Sequence, residues 1–341
     1  MAREPHHRKT TGPVTQNSDS IQIGFFGGGE QALAALIALA GRPEYTISFI
    51  HPRIPDDVIV TEFARRHLIA VMPVDNVNSK AGLGFIRDQD MDLMLSINCK
   101  QIFKPDLLSL PRLGAVNLHN GMLPRQRGGG GAYAGMINGE TCGTTLHFID
   151  QGIDDGDIII QRPVDVTADM TMGDLQRKFI AHTPTLVIDA LEKIIGGNLV
   201  RTSQKQSQYY YVPAKPEWDE LIDWTLPTDA IYDRFRARTP GPDSFFIFKN
   251  EMIYVTKIEL EPKLLAHTNA PGQVLQRSRE KGVLVKTGDT GIWVNTILRQ
   301  GTEEETIPTF PIGSMLAQNI HKKVFELEKR LSRLELEFDK K

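Results

Sequence analysis

Asn117 and His119 stand two residues apart in the run GAVNLHNG. Alternate side chains of a strand share a face, so an amide and an imidazole here point the same way. An imidazole at a strand end can carry a proton near neutral pH. An amide N–H beside it can meet charge developing on an oxygen. Some thirty residues on, His147-Phe-Ile-Asp150-Gln-Gly152-Ile-Asp154-Asp155-Gly-Asp157 sets a group of acids between two apolar runs. A carboxylate from that loop could face His119 and set its charge or relay a proton through water. Acids and glycines are also what turns are made of, so residue types alone leave the choice of carboxylate open.

The elements that must hold these groups follow from periodicity. IQIGFF from Ile21 reads as a buried strand, and EQALAALIALAG after it has helical spacing with a closing glycine. YTISFI, IAVMPV, DLMLSIN and GAVNLH read as further strands, and VTEFARRHLI and PDLLSLP as helices. The strands TTLHFID and DIIIQRPVDV follow, and a long helix from Met172 to Ile195 closes the block. Strands alternating with helices predict an α/β fold, a Rossmann-like, mostly parallel sheet over residues 21–200. Ligands of such sheets bind at the C-terminal strand ends, where Asn117 and His119 fall.

The flanking segments read differently. Residues 1–20 are polar and are expected to be a disordered tail. Residues 201–216 are polar with two prolines and read as a linker. Alternating stretches such as FFIFKNEMIYVTKIEL, GVLVKTG and GIWVNTILRQ predict a small antiparallel, OB-like β-barrel over 217–316. From 317 to 341, apolar residues at 320, 324, 327, 331, 334 and 338 form a heptad seam, predicting an amphipathic helix that could pair two copies into a homodimer.

Composition narrows the function classes. The chain has 341 residues, 40% hydrophobic and 24% charged, an ordinary globular mix. A net charge of -3 gives no field to attract a polyanion, which disfavours a nucleic-acid binder. Cys99 and Cys142 are the only cysteines and form no CxxC, so no metal site is expected. There is no apolar run long enough for a membrane span, and the tail lacks a signal-peptide core. The expectation is a cytoplasmic protein. Gly27 to Ala32 fits G-x-G-x-x-A, but the second strand ends Phe-Ile-His-Pro without the acid a dinucleotide site needs.

The gapped pattern N-x-H-x-x-x-L-P-x-x-x-G from Asn117, I-N-G-E from Ile137 and T-x-H-x-I-D-x-G-I-D-x-G-D-I-I-x-Q from Thr145 resembles the formyltransferases that use N10-formyltetrahydrofolate. The resemblance implies a catalytic trio of Asn117, His119 and Asp154. It implies a pterin held largely by backbone at Ile97, Asn98, Cys99, Lys100 and Ile102, together with Ile149, Asp150 and Gly152. On the acceptor side it implies the first-turn glycines Gly27 and Gly28 and the loop residues Met122, Gly129 and Tyr133, and Arg125 and Arg127, flanking that loop, are candidate cationic donors to a nucleotide diphosphate. The implied reaction moves a formyl group to an amine, with Asn117 and protonated His119 as oxyanion donors and neutral His119 as the base, two roles that cannot coincide in one step and whose order the sequence does not set.

This chain departs from the family pattern in two places. Asn120-Gly121-Met122 stands where x-S-L is usual, and Gly129-Gly130-Gly131-Ala132-Tyr133 replaces a stretch that often carries Trp-Ala. The glycines leave room for an unusual acceptor. Family members acting on methionyl-tRNA usually carry a basic insertion after the second strand, where this chain reads HPRIPDDVIV. A nucleotide-linked amino sugar is therefore the expected acceptor. Methionyl-tRNA, hydroxyornithine and a non-catalytic folate-binding or scaffold role stand as alternatives.

Overall fold

A computed structural model describes residues 20–316, apart from 198, 206–207, 215–219, 242 and 262–267. The expected tail, save Ser20, and the heptad segment 317–341 lie outside the described residues. The chain divides into two units after Ala214.

The first unit runs β1 (Ile21–Gly27), α1 (Gly29–Ala40), β2 (Tyr45–Pro52), α2 (Val58–His67), β3 (Ala70–Val71), α3 (Lys80–Asp88), β4 (Leu93–Ile97), α4 (Pro105–Leu108) and β5 (Ala115–His119). It continues with β6 (Gln126–Arg127), α5 (Gly131–Ile137), β7 (Cys142–Phe148), β8 (Ile158–Val164), α6 (Met172–Ile195) and β9 (Tyr210–Tyr211). Seven strands make one sheet in the order β3-β2-β1-β4-β5-β7-β8. It is parallel from β3 to β5, and β7 and β8 are antiparallel.

Helices cover both faces, which is why the central strands are apolar throughout. All five residues of β4 are buried. One face packs Phe25, Leu95 and Leu118 against Leu36 of α1 and Leu186 and Leu191 of α6. The other gathers Phe26, Phe49, Met94 and Phe103 with Leu83 and Ile86 of α3. Thr171 and Asp174 form a reciprocal capping box that starts α6. The third strand, expected over IAVMPV, shrinks to Ala70–Val71, and both residues are exposed. It lies at the sheet edge, and Pro73 has no N–H to extend the ladder.

The stretch 201–216, read as a linker, is different in its described part. Thr202 exchanges two backbone hydrogen bonds with Ile158, at 3.0 and 2.8 Å. Tyr210–Tyr211 pairs in parallel with Gln126–Arg127. The segment is therefore a strap on the first unit. Its polar composition satisfies hydrogen bonds of neighbouring loops, which composition alone cannot distinguish from solvation.

The second unit holds α7 (Thr228–Arg236), β10 (Ser244–Phe248), β11 (Glu251–Leu260), β12 (Val274–Ser278), β13 (Gly282–Lys286), β14 (Gly291–Arg299) and β15 (Glu305–Thr306). Its antiparallel sheet runs β10-β11-β14-β13-β12, with β15 on β14. The stretch FFIFKNEMIYVTKIEL, read as one alternating run, folds back as a hairpin. Lys249 and Asn250 both take positive φ, 50° and 68°, as a tight two-residue turn requires. Trp224, Phe246, Val255, Val283, Val294 and Phe310 form the core, and the Trp224 indole N–H donates to the Leu316 carbonyl at 3.1 Å.

Candidate active site

β5 ends at His119, beside the point where the sheet order reverses between β1 and β4. Antiparallel pairing of β5 with β7 sets Asn117 directly opposite His147. Their side chains meet, Asn117 Nδ2 lying 3.3 Å from His147 Nε2. The loop between β7 and β8 then turns back over the strand ends and delivers Asp154. Its carboxylate lies between two imidazoles, 3.5 Å from His119 Nδ1 and 3.4 Å from His147 Nε2. Asp154 has a φ of +49°, a left-handed conformation that only a few non-glycine residues tolerate. The Gly128 N–H donates to the same carboxylate at 2.9 Å.

The ring nitrogens have separate duties. His119 Nε2–H donates to the Gln126 carbonyl at 2.6 Å, so Nδ1 is the nitrogen that can take up a proton. His147 Nδ1–H donates to the Phe148 carbonyl at 2.7 Å, so Nε2 accepts from the Asn117 amide when the ring is neutral and donates to the Asp154 carboxylate when the ring is an imidazolium. Burial pushes His119 below its ordinary value, opposed by the charge of Asp154. The imidazole therefore starts neutral at pH 7, as a base must. Burial alone would raise the Asp154 carboxyl. The His147 hydrogen bond, the charges of His119 and His147 and the Gly128 N–H outweigh it and hold the group well below the usual carboxylate range.

The site opens into a cleft of about 870 Å3. Asn98, Cys99, Lys100, Ile102, Ile149, Asp150 and Gly152 line it, with Asn117, His119, Asp154 and Gly129. Burial raises the Cys99 thiol, so it stays protonated at neutral pH. Ile102 and Ile153 are 74% and 50% exposed within the cleft wall, an apolar rim around polar groups.

Other expected residues lie elsewhere. Ile97 is buried in the core, and its carbonyl accepts the Gly28 N–H at 3.2 Å. A side chain on Gly27 would run into that carbonyl, and one on Gly28 into the Asp57 carboxylate, so the first turn serves close packing. Asp57 also accepts the Gly29 N–H at 3.1 Å, which occupies the start of α1. Arg125 pairs with Glu140 at 2.8 Å on the surface. Arg127 is buried, bonded to Gln204 and set 4.4 Å over the Tyr209 ring. Tyr133 is buried in α5, and Met122 lies against Gly143. None of these seven lines the cleft. The glycine run also has another role. Side chains on Gly128, Gly129 and Gly130 would strike Tyr211, Val212, Pro213 and Ala214, so the space is taken by the strap.

The sequence reading passed over several lining residues. His147 had a signal, its place in the T-x-H-x-I-D stretch ahead of the acidic loop. Gln176, Phe179 and Ile180 had one too, the i, i+3, i+4 spacing of one face of α6. Gln31 and Asn120 donate to each other's amide oxygens at 3.0 and 2.9 Å, and Gln31 also donates to Thr183 at 3.1 Å. That network ties the residue after His119 to α1 and α6. Tyr211 comes from the presumed linker and had no signal.

Two family profiles match the chain in order: formyl transferase over residues 64–191 and the formyl transferase C-terminal domain over 216–314. The chain belongs to the formyltransferase family. A methionyl-tRNA formyltransferase of Halothermothrix orenii is 26% identical to this formyltransferase, over 86% of the chain and 97% of that protein. WlaRD, a sugar 3N-formyl transferase solved in the presence of dTDP and 5-N-formyl-THF, superposes with a TM-score of 0.62. It is 18% identical, over 84% of this chain and all of its own. HypX from Aquifex aeolicus, solved with tetrahydrofolic acid, gives a TM-score of 0.58 at 18% identity over 85% of this formyltransferase and 46% of its own chain. At these identities the two structures speak for the fold alone. No group of three His, Cys, Asp or Glu could hold a metal among the described residues, and no described helix is long and apolar enough to cross a membrane.

Proposed function

We propose that this formyltransferase moves a formyl group from N10-formyltetrahydrofolate to the amine of a nucleotide-linked sugar. The observation that carries the reading is Asn117, His119 and Asp154 converging at the wall of a cleft of suitable size for a folate. Residues 98–102 and 149–153 would hold the donor, with Ile102 and Ile153 offering apolar contact to its ring system. When bound, the folate supplies the formyl carbon and leaves as tetrahydrofolate. A bond forms between the amine nitrogen and that carbon, and the bond to N10 breaks. His119 Nδ1 takes the proton the amine must lose, and returns it to the departing nitrogen. Asp154 stays ionised and faces the imidazolium while it exists. The Asn117 amide N–H is the donor available to the oxygen that gains charge.

For the acceptor, the connection between β2 and α2 supports a small molecule. It is only Arg53 to Asp57, one cation against two acids, where a tRNA backbone would need clustered positive charge. The second reading is methionyl-tRNA, favoured by the curated relatives that bear that name. Release of tetrahydrofolate should be measured with dTDP- and UDP-linked amino sugars and, in parallel, methionyl-tRNA. Turnover with a nucleotide sugar is expected. Turnover with charged tRNA alone would refute the acceptor assignment and retain the donor.

The electrostatics set a pH dependence. A neutral His119 is the active form, and burial lowers its pKa. The rate should therefore hold its plateau down through pH 6.5, histidine's ordinary value, and fall with a single protonation below it. A profile of kcat/KM from pH 5 to 9 checks this. A midpoint above 6.5 would contradict the assignment.

A further inference from the structure

We infer that Gln204, on the strap of the first unit, is a positioning residue that holds Asp154 against His119. The inference rests on the proposed reaction only for its kinetic readout. Its basis is the geometry of one amide. Gln204 Oε1 accepts from Arg127 Nε and Nη2 at 3.1 and 2.9 Å. Gln204 Nε2 donates to the carbonyls of Asp154 and Gly156 at 2.9 and 2.7 Å. Both donors and both lone pairs of the side chain are in use.

These bonds close a ring. Arg127 precedes Gly128, the Gly128 N–H holds the Asp154 carboxylate, and the Asp154 carbonyl returns to Gln204. The ring clamps the acidic loop to the loop whose Gln126 carbonyl orients His119. Two neighbours strengthen the lacing: Ser203 donates to the Asp157 carboxylate at 2.9 Å, and Thr202 pairs with Ile158. A clamp is needed because Asp154 sits in the left-handed region, a conformation unfavourable for an L-residue. Releasing its carbonyl lets the Asp154 backbone relax and the carboxylate swing away from His119. Only an amide of this length meets a guanidinium with one end and two carbonyls with the other. A glutamate would keep Arg127 and lose both donors. A methionine would lose everything but the volume.

The ionisable groups around His119 are Asp154, at 3.5 Å, and His147 of β7, with ring centroids 6.3 Å apart. Glu30 of α1, Lys100 after β4 and Tyr211 of the strap line the same cleft. Arg127 faces Gln204. The charge of Asp154 raises His119, as does the hydrogen bond to the Gln126 carbonyl, so displacing Asp154 lowers the imidazole's pKa.

The test uses the full chain with Gln204→Met and Gln204→Glu. His119 is titrated by NMR of 13C-labelled histidine without substrate, with Asp154→Asn as the reference for complete loss of the charge. Thermal unfolding reports folding. Gln204→Met should shift His119 downward, in the direction of Asp154→Asn. Both Gln204 variants should lower kcat by about tenfold to a hundredfold, with KM for the formyl donor changed less than threefold. A purely structural tie would lower the melting temperature and leave the His119 titration of the folded protein unmoved, and that result overturns the inference. Wild-type rates in both variants would overturn it as well. The NMR readout needs no turnover. A shifted His119 in a protein that transfers no formyl group would uphold the clamp and reject the proposed reaction.

Discussion

His119→Ala is expected to lower kcat by about a thousandfold, within the range of 10²–10⁴ typical of general acid–base groups, while folate binding persists. The separation follows from position. The folate would lie along residues 98–102 and 149–153, whereas His119 would meet only the reacting atoms. Removing the imidazole also leaves the Gln126 carbonyl without its donor, and the adjoining glycines keep the gap small. Gly121 and Gly131 pack so close that a Cβ on either would come within 2.5 and 3.1 Å of His119 Nε2. Titration with tetrahydrofolate and single-turnover rates would read binding and chemistry apart. Undiminished turnover in His119→Ala would remove the base from the mechanism.

Asp154→Asn should be the second most damaging change, and its signature is different. The amide can still accept from Gly128, so the loop keeps its anchor. The charge is lost at the moment His119 becomes an imidazolium in a buried setting. At 3.5 Å and an effective dielectric of about 20, such a pair interacts by about 5 kcal/mol, an upper figure before the surroundings relax. A fall in kcat of about a hundredfold to a thousandfold follows. Because Asp154 raises His119, the acid limb should move to lower pH as the plateau drops. A mutant with a lower plateau and an unmoved acid limb would show that Asp154 does not act through His119.

The departures from expectation share one cause. Arg125 and Arg127 flank the active-site loop in sequence, and both looked ready for a phosphate. Each is instead engaged by the chain itself, Arg125 by Glu140 and Arg127 by Gln204 under the Tyr209 ring. The glycines at 128–130 looked like space for a substrate, and that space is filled by residues 211–214. In all three cases the occupant arrives from more than ten residues away in sequence. Gly27 and Gly28 follow the same rule, with Ile97 and Asp57 as the occupants.

The alternation of apolar runs and helical spacing was enough to place the strands of the mostly parallel sheet and the long helix from Met172 to Ile195, because burial on both faces and capping are local properties of a segment. The period of two also sufficed to bring Asn117 and His119 to one face. Tertiary structure alone decided what meets them. The register of β5 on β7 sets His147 opposite Asn117, a left-handed turn at Asp154 carries its carboxylate between two imidazoles, and Gln204 and Tyr210–Tyr211 of the strap lock both loops. Those contacts join residues distant along the chain, and hydrogen-bond geometry between distant backbones leaves no periodic trace in the order of amino acids.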